Sequence, residues 1–287
     1  MTQFSAPTTV ADAVACLKGA NGAGKILAGG TDLLVQLRAG FIDPSHIVDI
    51  KNIQQTRAVV AHDGGYRIGS AVSGAELGEH DEIPLLWPGV VEGLELIGST
   101  QIQGRASLGG NLCNASPAAD SVPAMIAARA TCEIAGPSGT RELPVEQVVT
   151  APGKTSLAPG EFVVSFFLPP RDPRSSDAYL RFIPRTEMDI AVVGAAVNLT
   201  LDASGLVSEA HVALGAVAPT ARLVPDAAAA IVGTKLEDEA QAKLQAAASA
   251  ACDPINDKRG TIEYRTKVAG VLAKRAAAIA YARAGGQ

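Results

Sequence analysis

A stretch of small and polar side chains, SLGGNLCNASPAAD at residues 107–120, constrains this chain more than any other feature. It contains no large side chain after Leu112. Gly109 and Gly110 predict a tight turn with positive φ, in which successive backbone N–H groups can form a concave anion site. The residues that follow Pro117 take on a helical pattern, and a glycine-rich loop that leads into a helix suits a phosphate-bearing ligand.

The polar side chains of this stretch add hydrogen-bonding capacity. Side-chain donors and acceptors are available at Ser107, Asn111, Asn114 and Ser116. The carboxylate of Asp120 can accept a hydrogen bond from a sugar hydroxyl. The alternative is an ordinary surface turn, because Gly-Gly turns are common in proteins of every kind.

A second glycine pair lies in the segment KILAGGTDLL at residues 25–34, directly after a short predicted strand. Thr31 or Asp32 can cap the helix that follows, with backbone N–H groups directed at an anion. The segment has neither the G-x-G-x-x-G spacing of a dinucleotide fingerprint nor the Gly-Lys-Ser/Thr sequence of a P-loop. Two such loops, about eighty residues apart, suggest two sides of a site for one elongated ligand such as a dinucleotide.

The composition argues against several classes of function. The formal net charge is −5 and no dense basic patch is present, which argues against nucleic acid as a partner. No apolar run reaches transmembrane length and the first residues lack a secretory signal pattern, so the chain is expected to be cytoplasmic. The four cysteines are far apart and form no C-x-x-C, which predicts no zinc or iron–sulfur site in this chain.

Apolar periodicity predicts an α+β chain with a domain boundary in the proline-rich segment 169–177. Helices are predicted at residues 10–18, 33–38, 75–80, 88–97, 117–129, 226–232, 236–251 and 262–284. Strands are predicted at residues 26–28, 47–50, 66–70, 131–135, 140–143, 161–168, 178–184, 192–202 and 206–216. The order of elements after the boundary, three strands and then three helices, predicts an antiparallel sheet covered by a helical layer.

Four motifs together resemble the flavin-binding (medium) subunits of the molybdenum hydroxylases, the family of xanthine dehydrogenase and carbon monoxide dehydrogenase. They are AGGTDLL at 28–34, SLGGNLCNASPAAD at 107–120, RFIPRTEMDIA at 181–191 and DKRGTIEYR at 257–265. The resemblance covers nearly the whole chain. It implies a two-part FAD-binding domain over residues 1–174, with a small βαβ subdomain (about 1–52) and a larger α+β subdomain (53–174). A C-terminal domain, residues 175–287, would then contain a three-stranded antiparallel sheet covered by helices.

The resemblance also implies that both glycine loops hold FAD. Backbone N–H groups of the two loops would surround the pyrophosphate, and Asp120 would bond a ribityl or ribose hydroxyl. Arg181 would lie near the flavin or its phosphates, with Ile190 beside the isoalloxazine ring and Val164 in the adenine or ring pocket. Binding would be non-covalent, because Thr31 stands where flavoproteins with covalent FAD usually have a histidine. The implied FAD contacts are Ile26, Leu27, Ala28, Gly29, Gly30, Thr31, Asp32, Leu33, Ile97, Ser107, Gly109, Gly110, Asn111, Asn114, Ala115, Ser116, Asp120, Val164, Arg181 and Ile190.

As an enzyme, a protein of this family is an oxidoreductase subunit that works only with partners. The resemblance implies that a large molybdopterin subunit oxidises the substrate and a small [2Fe-2S] subunit passes the electrons to FAD. The acceptor after FAD would be NAD, oxygen, a quinone or another carrier, and the complex would be a dimer of heterotrimers. No catalytic residue and no metal ligand is implied in this chain. Some relatives that oxidise carbon monoxide carry Tyr where Ile190 stands, which argues against that substrate. The alternative function is a nucleotide-binding or phosphate-binding module without redox chemistry, as in an assembly or regulatory subunit.

Overall fold

A three-stranded parallel sheet opens the chain in the computed structural model, which describes residues 1–286. Its strands are β1 (Gln3–Ser5), β2 (Gly24–Leu27) and β3 (His46–Asp49), in the order β1-β3-β2. Helix α1 (Val10–Gly19) is capped by the Thr9 hydroxyl, which accepts a hydrogen bond from the backbone of its third residue. Helix α2 (Leu33–Arg38) links β2 to β3 and confirms the predicted βαβ unit. The short edge strand β1 was not predicted, because three residues are too few to show an alternation of apolar and polar side chains.

A five-stranded antiparallel sheet forms the next part of the chain, in the order β4-β5-β10-β6-β7. In chain order, the strands of this part are β4 (Val59–His62), β5 (Gly65–Gly69), β6 (Thr131–Gly136), β7 (Gly139–Pro144), β8 (Val149–Ala151), β9 (Lys154–Thr155) and β10 (Phe162–Leu168), and β10 is the central strand of the sheet. Of these, β8 and β9 pair only with each other, in a hairpin that leads into β10. Strand β10 is buried on both faces, as expected for the centre of a covered sheet.

Seven short helices accompany this sheet. They are α3 (Gln54–Arg57), α4 (Gly74–Gly78), α5 (Ile83–Leu86), α6 (Pro88–Glu95), α7 (Thr100–Gln103), α8 (Leu108–Cys113) and α9 (Ser121–Ala127). Apolar side chains of α4, α6, α8 and α9 share one core with Phe166 of β10. The helix predicted at 117–129 begins only at Ser121. Upstream of it, the Ser116 hydroxyl accepts a hydrogen bond from the backbone N–H of Ala118, which holds this segment in a turn.

The C-terminal part is a four-stranded antiparallel sheet with three helices. Its strands are β11 (Ser175–Phe182), β12 (Val193–Leu201), β13 (Val207–Gly215) and β14 (Arg222–Leu223), and its helices are α10 (Pro225–Ala229), α11 (Asp238–Ala250) and α12 (Ile262–Arg283). The predicted antiparallel sheet covered by helices is confirmed, and the two-residue strand β14 adds an edge to the three predicted strands.

Both faces of the C-terminal sheet are covered. Helix α12 packs against β11 and β12, while α6 and α9 from the preceding part of the chain pack against the same sheet. Along β12, Ala196 belongs to the core shared with α6 and α9, whereas Ala195 and Val197 belong to the core beneath α12. Because successive side chains of a strand point to opposite faces, the sheet lies between the two helical layers. Within the described residues, no helix is long and apolar enough to cross a membrane.

Candidate functional site

A cleft of about 580 Å³ lies between the βαβ unit, the first turn of α8 and the segment that connects β9 to β10. It brings together residues from both glycine pairs, which are far apart in the sequence. The predicted contacts that line it are Ile26, Ala28, Gly29, Gly30, Thr31, Asp32, Leu33, Ile97, Ser107, Gly109, Gly110, Asn111 and Asn114. Its size is within the usual range for a site that takes a small molecule or cofactor.

The first glycine loop, residues 28–33, presents a row of free backbone donors to the cleft. Gly30 has a φ of +81°, a left-handed conformation that glycine adopts without strain. In the part of the chain that the structure describes, the backbone N–H groups from Gly29 to Leu33 find no hydrogen-bond acceptor. The predicted cap of α2 by Thr31 or Asp32 is wrong, because no side-chain hydrogen bond caps this helix among the described residues. Asp32 occupies the N-cap position of α2 but has helical φ and ψ, so its carboxylate cannot turn back to the helix.

Lys51 fixes the start of this loop. Its ammonium donates to the backbone carbonyl of Ala28 at 2.9 Å and to the Asp49 carboxylate at 2.7 Å. Asp49 ends β3, so the first glycine loop is tied to the strand beside it. The donors of the loop are therefore positioned before any ligand arrives.

The second glycine loop, residues 107–116, differs from its prediction. Gly109 and Gly110 do not form a left-handed turn but lie in the first turn of α8, where the Ser107 hydroxyl caps the backbone N–H of Gly110 at 3.1 Å. The reason for glycine at 109 is packing, because a Cβ there would lie 2.5 Å from the Ser70 carbonyl oxygen. A Cβ at Gly110 would meet only the Ser107 hydroxyl, at 3.3 Å, so this glycine keeps the cleft open.

Two asparagines of the second glycine loop are held in place by their carbonyl oxygens. The Oδ1 of Asn111 accepts hydrogen bonds from the backbone and hydroxyl of Ser121, at 3.1 and 2.8 Å. The Oδ1 of Asn114 accepts from the amide of Gln36, at 3.2 Å, and this bond joins α2, the helix after the first loop, to the second loop. The amide nitrogens of both asparagines have no acceptor among residues 1–286 and are left as donors for a ligand.

The third wall of the cleft is the segment 153–163, which the sequence analysis did not place in the site. Glu161 lies in it, and Arg141 binds its carboxylate through two nitrogens, at 2.9 and 2.8 Å. These hydrogen bonds from Arg141 lower the pKa of Glu161 and offset its negative charge, which would otherwise repel a phosphate. Lys25 adds a positive charge to the lining. Neither the hairpin of β8 and β9 nor the pairing of Glu161 with Arg141 has a sequence motif from which it could be predicted.

Asp120 and Arg181 lie outside the cleft and bind each other. The Asp120 carboxylate accepts from the Arg181 guanidinium at 2.9 Å and from the Tyr179 hydroxyl at 3.0 Å. Arg181 also donates to the Leu96 carbonyl at 2.6 Å, next to the cleft residue Ile97. Burial raises the pKa of Asp120 to about 6, although Arg181 and the hydrogen bond from Tyr179 act in the opposite direction.

The other predicted contacts also lie away from the lining. Leu27 lies beneath Gly30, and Val164 is buried in β10. Ala115 is buried, and its carbonyl accepts from the backbone of Gly153. Ile190 is 52% exposed in the loop before β12. The structure thus unites both glycine loops in one cleft but leaves these positions, together with Ser116, Asp120 and Arg181, as predictions.

Ser70 is a cleft residue that the sequence analysis missed. It follows β5 and is the last residue of the strand predicted at residues 66–70. The only available signal was a small polar side chain at the end of a strand. Its hydroxyl is buried and has no partner among the described residues.

Two family descriptions match this chain. The FAD binding domain in molybdopterin dehydrogenase matches residues 1–171, and the CO dehydrogenase flavoprotein C-terminal domain matches residues 169–280. The putative xanthine dehydrogenase FAD-binding subunit of Escherichia coli (strain K12) is 33% identical over 281 residues, which cover 97% of this chain and 96% of that protein. The carbon monoxide dehydrogenase medium chain of Hydrogenophaga pseudoflava is 30% identical over 281 residues, with 98% and 97% covered.

A solved structure shares the fold over the whole chain. A chain of the reconstituted CO dehydrogenase from Oligotropha carboxidovorans superposes with a TM-score of 0.94 and 31% identity. The match covers 99% of this chain and 98% of that one. The arrangement of the parallel sheet, the five-stranded sheet and the C-terminal sheet is therefore that of a chain of this CO dehydrogenase.

Proposed function

The chain belongs to the family of FAD-binding subunits of molybdenum hydroxylases, and we propose that its FAD lies in the cleft between the two glycine loops. It is a subunit of an oxidoreductase and its cofactor is FAD. Bound FAD supplies the redox chemistry, the transfer of electrons from [2Fe-2S] clusters of a small subunit to an external acceptor. The alternative of a phosphate-binding module without redox chemistry is not supported by these relatives.

One observation carries the proposed placement of FAD. Five consecutive backbone N–H groups, from Gly29 to Leu33, line the cleft without an acceptor in the described part of the chain. A run of free peptide donors in a glycine loop suits the oxygens of a pyrophosphate. The carboxylate of Asp32 would be repelled by phosphate, so this residue would contribute its backbone N–H.

The opposite side of the cleft supplies side-chain donors. The backbone N–H of Gly110 is already bound to Ser107, so the amide nitrogens of Asn111 and Asn114 take over the donor role predicted for the second loop. Gly110 contributes space rather than a hydrogen bond. The fit is thus asymmetric, with peptide donors on one side of the pyrophosphate and amide side chains on the other.

Asp120 and Arg181 support the same site from outside. Through the Leu96 carbonyl, Arg181 holds the end of the segment that places Ile97 in the cleft wall. Direct contacts of FAD with Asp120, Arg181, Ser116, Val164 or Ile190 remain predictions. So do contacts with Leu27, which is partly buried beneath Gly30, and with Ala115, which is buried away from the lining.

We further propose the domain organisation and the partners. The FAD-binding domain would span residues 1–174 and the C-terminal domain residues 175–287. Relatives include the medium chains of two carbon monoxide dehydrogenases, and a medium chain takes its place beside a larger and a smaller one. The complex would contain a large molybdopterin subunit and a small [2Fe-2S] subunit, assembled as a dimer of heterotrimers.

The visible absorption spectrum of the purified chain tests the cofactor assignment. We expect a yellow protein with flavin bands, or a colourless apoprotein that regains those bands after addition of FAD. Acid precipitation should release all of the flavin into the supernatant as FAD, because binding is non-covalent. A chain that cannot be reconstituted, or flavin that stays with the precipitate, would contradict the proposal.

A further inference from the structure

Ser70 is fixed between two elements of the FAD cleft. Its backbone N–H donates to the Val164 carbonyl of β10 at 2.9 Å, and its carbonyl accepts from the backbone N–H of Gly109 in α8 at 3.1 Å. The residue is only 2% exposed. Its backbone therefore cannot shift, and only rotation about the Cα–Cβ bond remains open to the side chain.

The hydroxyl of Ser70 has no hydrogen-bond partner among the described residues. Buried hydroxyls normally have one, because leaving the polar group unpaired costs free energy. Other buried serines of this chain obey the rule: Ser121 donates to Asn111 at 2.8 Å, and Ser165 donates to Glu133 at 2.9 Å. Ser70 is thus an exception that calls for a partner outside the chain.

The position of Ser70 limits where that partner can lie. Ser70 lines the cleft together with Gly109 and Gly110. The side chain of Ser70 is packed closely against Gly109, since a Cβ on that glycine would lie 2.7 Å from the Ser70 Cβ. The protein thus closes the side of Gly109. Because the hydroxyl itself is buried, it can reach a partner in the cleft only by rotation about the Cα–Cβ bond.

We propose that Ser70 is an additional FAD-binding residue and that its hydroxyl donates a hydrogen bond to a pyrophosphate oxygen. This inference rests on the proposed placement of FAD between the two glycine loops. An anionic phosphate oxygen is the strongest acceptor that the cofactor offers, and a hydrogen bond to it exceeds one between neutral groups. The hydroxyl would thus be unpaired in the apoprotein and paired in the holoprotein.

This arrangement makes an unusual prediction for Ser70→Ala, because the variant removes an orphaned group from the apoprotein and a ligand contact from the holoprotein. The melting temperature of the apoprotein should stay the same or rise. The FAD dissociation constant, from quenching of flavin fluorescence, should increase about tenfold, as for loss of one charge-assisted bond. The two ³¹P resonances of bound FAD should report a local change at the pyrophosphate.

Ser165→Ala is the matched control, since Ser165 is equally buried but fully partnered by Glu133 and Arg67. It should lower the melting temperature and leave the FAD dissociation constant unchanged. An FAD affinity of Ser70→Ala within twofold of wild type would overturn the inference. A loss of affinity with unchanged ³¹P resonances would overturn the assignment to pyrophosphate. If wild type itself bound no FAD, the proposed function would fail, which this comparison separates from failure of the Ser70 contact.

Discussion

The backbone carbonyl of Arg105 lies against the α-carbon of Gly29, in the space that a Cβ at residue 29 would occupy. Arg105 also directs its Nε towards the Gly29 carbonyl, at 3.4 Å. Through this contact, the first glycine loop packs against the segment that leads into the second glycine loop. Glycine at position 29 therefore sets the separation of the two loops, in addition to offering a free N–H to the cleft.

We expect Gly29→Ala to damage FAD binding through this contact. The added methyl group overlaps backbone atoms of Arg105, which cannot rotate away as a side chain would. Forcing such a group into a packed site typically destabilises by about 1–3 kcal/mol. The FAD dissociation constant should rise at least about tenfold, equivalent to about 1.4 kcal/mol, and the melting temperature should fall.

The control for this variant is Gly19→Ala at the end of α1. A Cβ there meets no atom within 4 Å, so the same chemical change should leave FAD affinity unaltered. Equal FAD affinity of Gly29→Ala and wild type would show that the loop tolerates a wider gap than the structure implies.

Gly110→Val should remove FAD without unfolding the chain. The backbone of Gly110 is helical, so valine is not excluded by φ, and its Cβ would meet only the Ser107 hydroxyl within the protein. The branched side chain would instead enter the cleft. We expect loss of the flavin absorption bands while the far-UV circular dichroism stays close to that of wild type.

Gly104→Val serves as the comparison for this substitution. Gly104 is exposed at the end of α7, and a Cβ there lies no closer than 4.0 Å to its nearest neighbour. This variant should retain full flavin occupancy. Full occupancy in Gly110→Val as well would remove the second glycine loop from the FAD site.

The two glycine pairs show how far a sequence motif can predict a site. Both were expected to face one ligand, and the structure does bring them to one cleft. Their conformations could not be foreseen, because Gly30 is left-handed and Gly110 is helical although both follow another glycine. The difference arises from the local cap by Ser107 and from one tertiary contact, the fit of Gly109 against Ser70.

The fold was easier to predict than the lining of the site. Long apolar strands such as β12 and the capped helix α1 carry their own periodic signal. By contrast, Ser70 is notable because its hydroxyl has no partner among the described residues, and Glu161 because it pairs with Arg141. Both features depend on residues that are distant in the sequence, so a single sequence does not predict them.

The Asp120–Arg181 pair predicts a specific dependence of stability on pH. Burial raises the pKa of Asp120 from 3.8 in the unfolded chain to about 6 in the folded one. The folded state therefore binds more protons than the unfolded state between these values, and stability from this group is lost as pH rises through them. Asparagine does not titrate. The stability advantage of wild type over Asp120→Asn, from urea unfolding, should thus shrink between pH 4 and 6, by at most about 3 kcal/mol.

An advantage that instead grew over this interval would mean that the attraction of Arg181 outweighs burial and that the pKa of Asp120 lies below its usual range. The same variant tests the predicted FAD contact of Asp120. Loss of a charge-assisted bond to a ribityl or ribose hydroxyl should weaken FAD binding by about 1–2 kcal/mol. An unchanged FAD dissociation constant would confine Asp120 to its network with Tyr179 and Arg181.

The last prediction concerns the isolated subunit. The relatives of this chain include the medium chains of carbon monoxide dehydrogenases and the FAD-binding subunits of xanthine dehydrogenases. The sequence offers no C-x-x-C for an iron–sulfur cluster, and the cleft residues provide peptide and amide donors rather than groups that activate a carbon–hydrogen bond. Purified protein loaded with FAD should therefore pass electrons from a reductant to a dye at most slowly. It should not oxidise an aldehyde, a purine or an N-heterocycle.

Co-expression with a molybdopterin subunit and a [2Fe-2S] subunit should restore hydroxylation and give a stable complex in size-exclusion chromatography. Iron and molybdenum need to be measured in the same samples as substrate turnover, because traces of co-purified partner would mimic activity of the single chain. The restored turnover should rise in proportion to the iron content and to the molybdenum content of the samples. Turnover of about 1 per second or more by the single chain, a rate typical of a working enzyme, in samples that contain neither metal would overturn its assignment as an electron-transfer subunit.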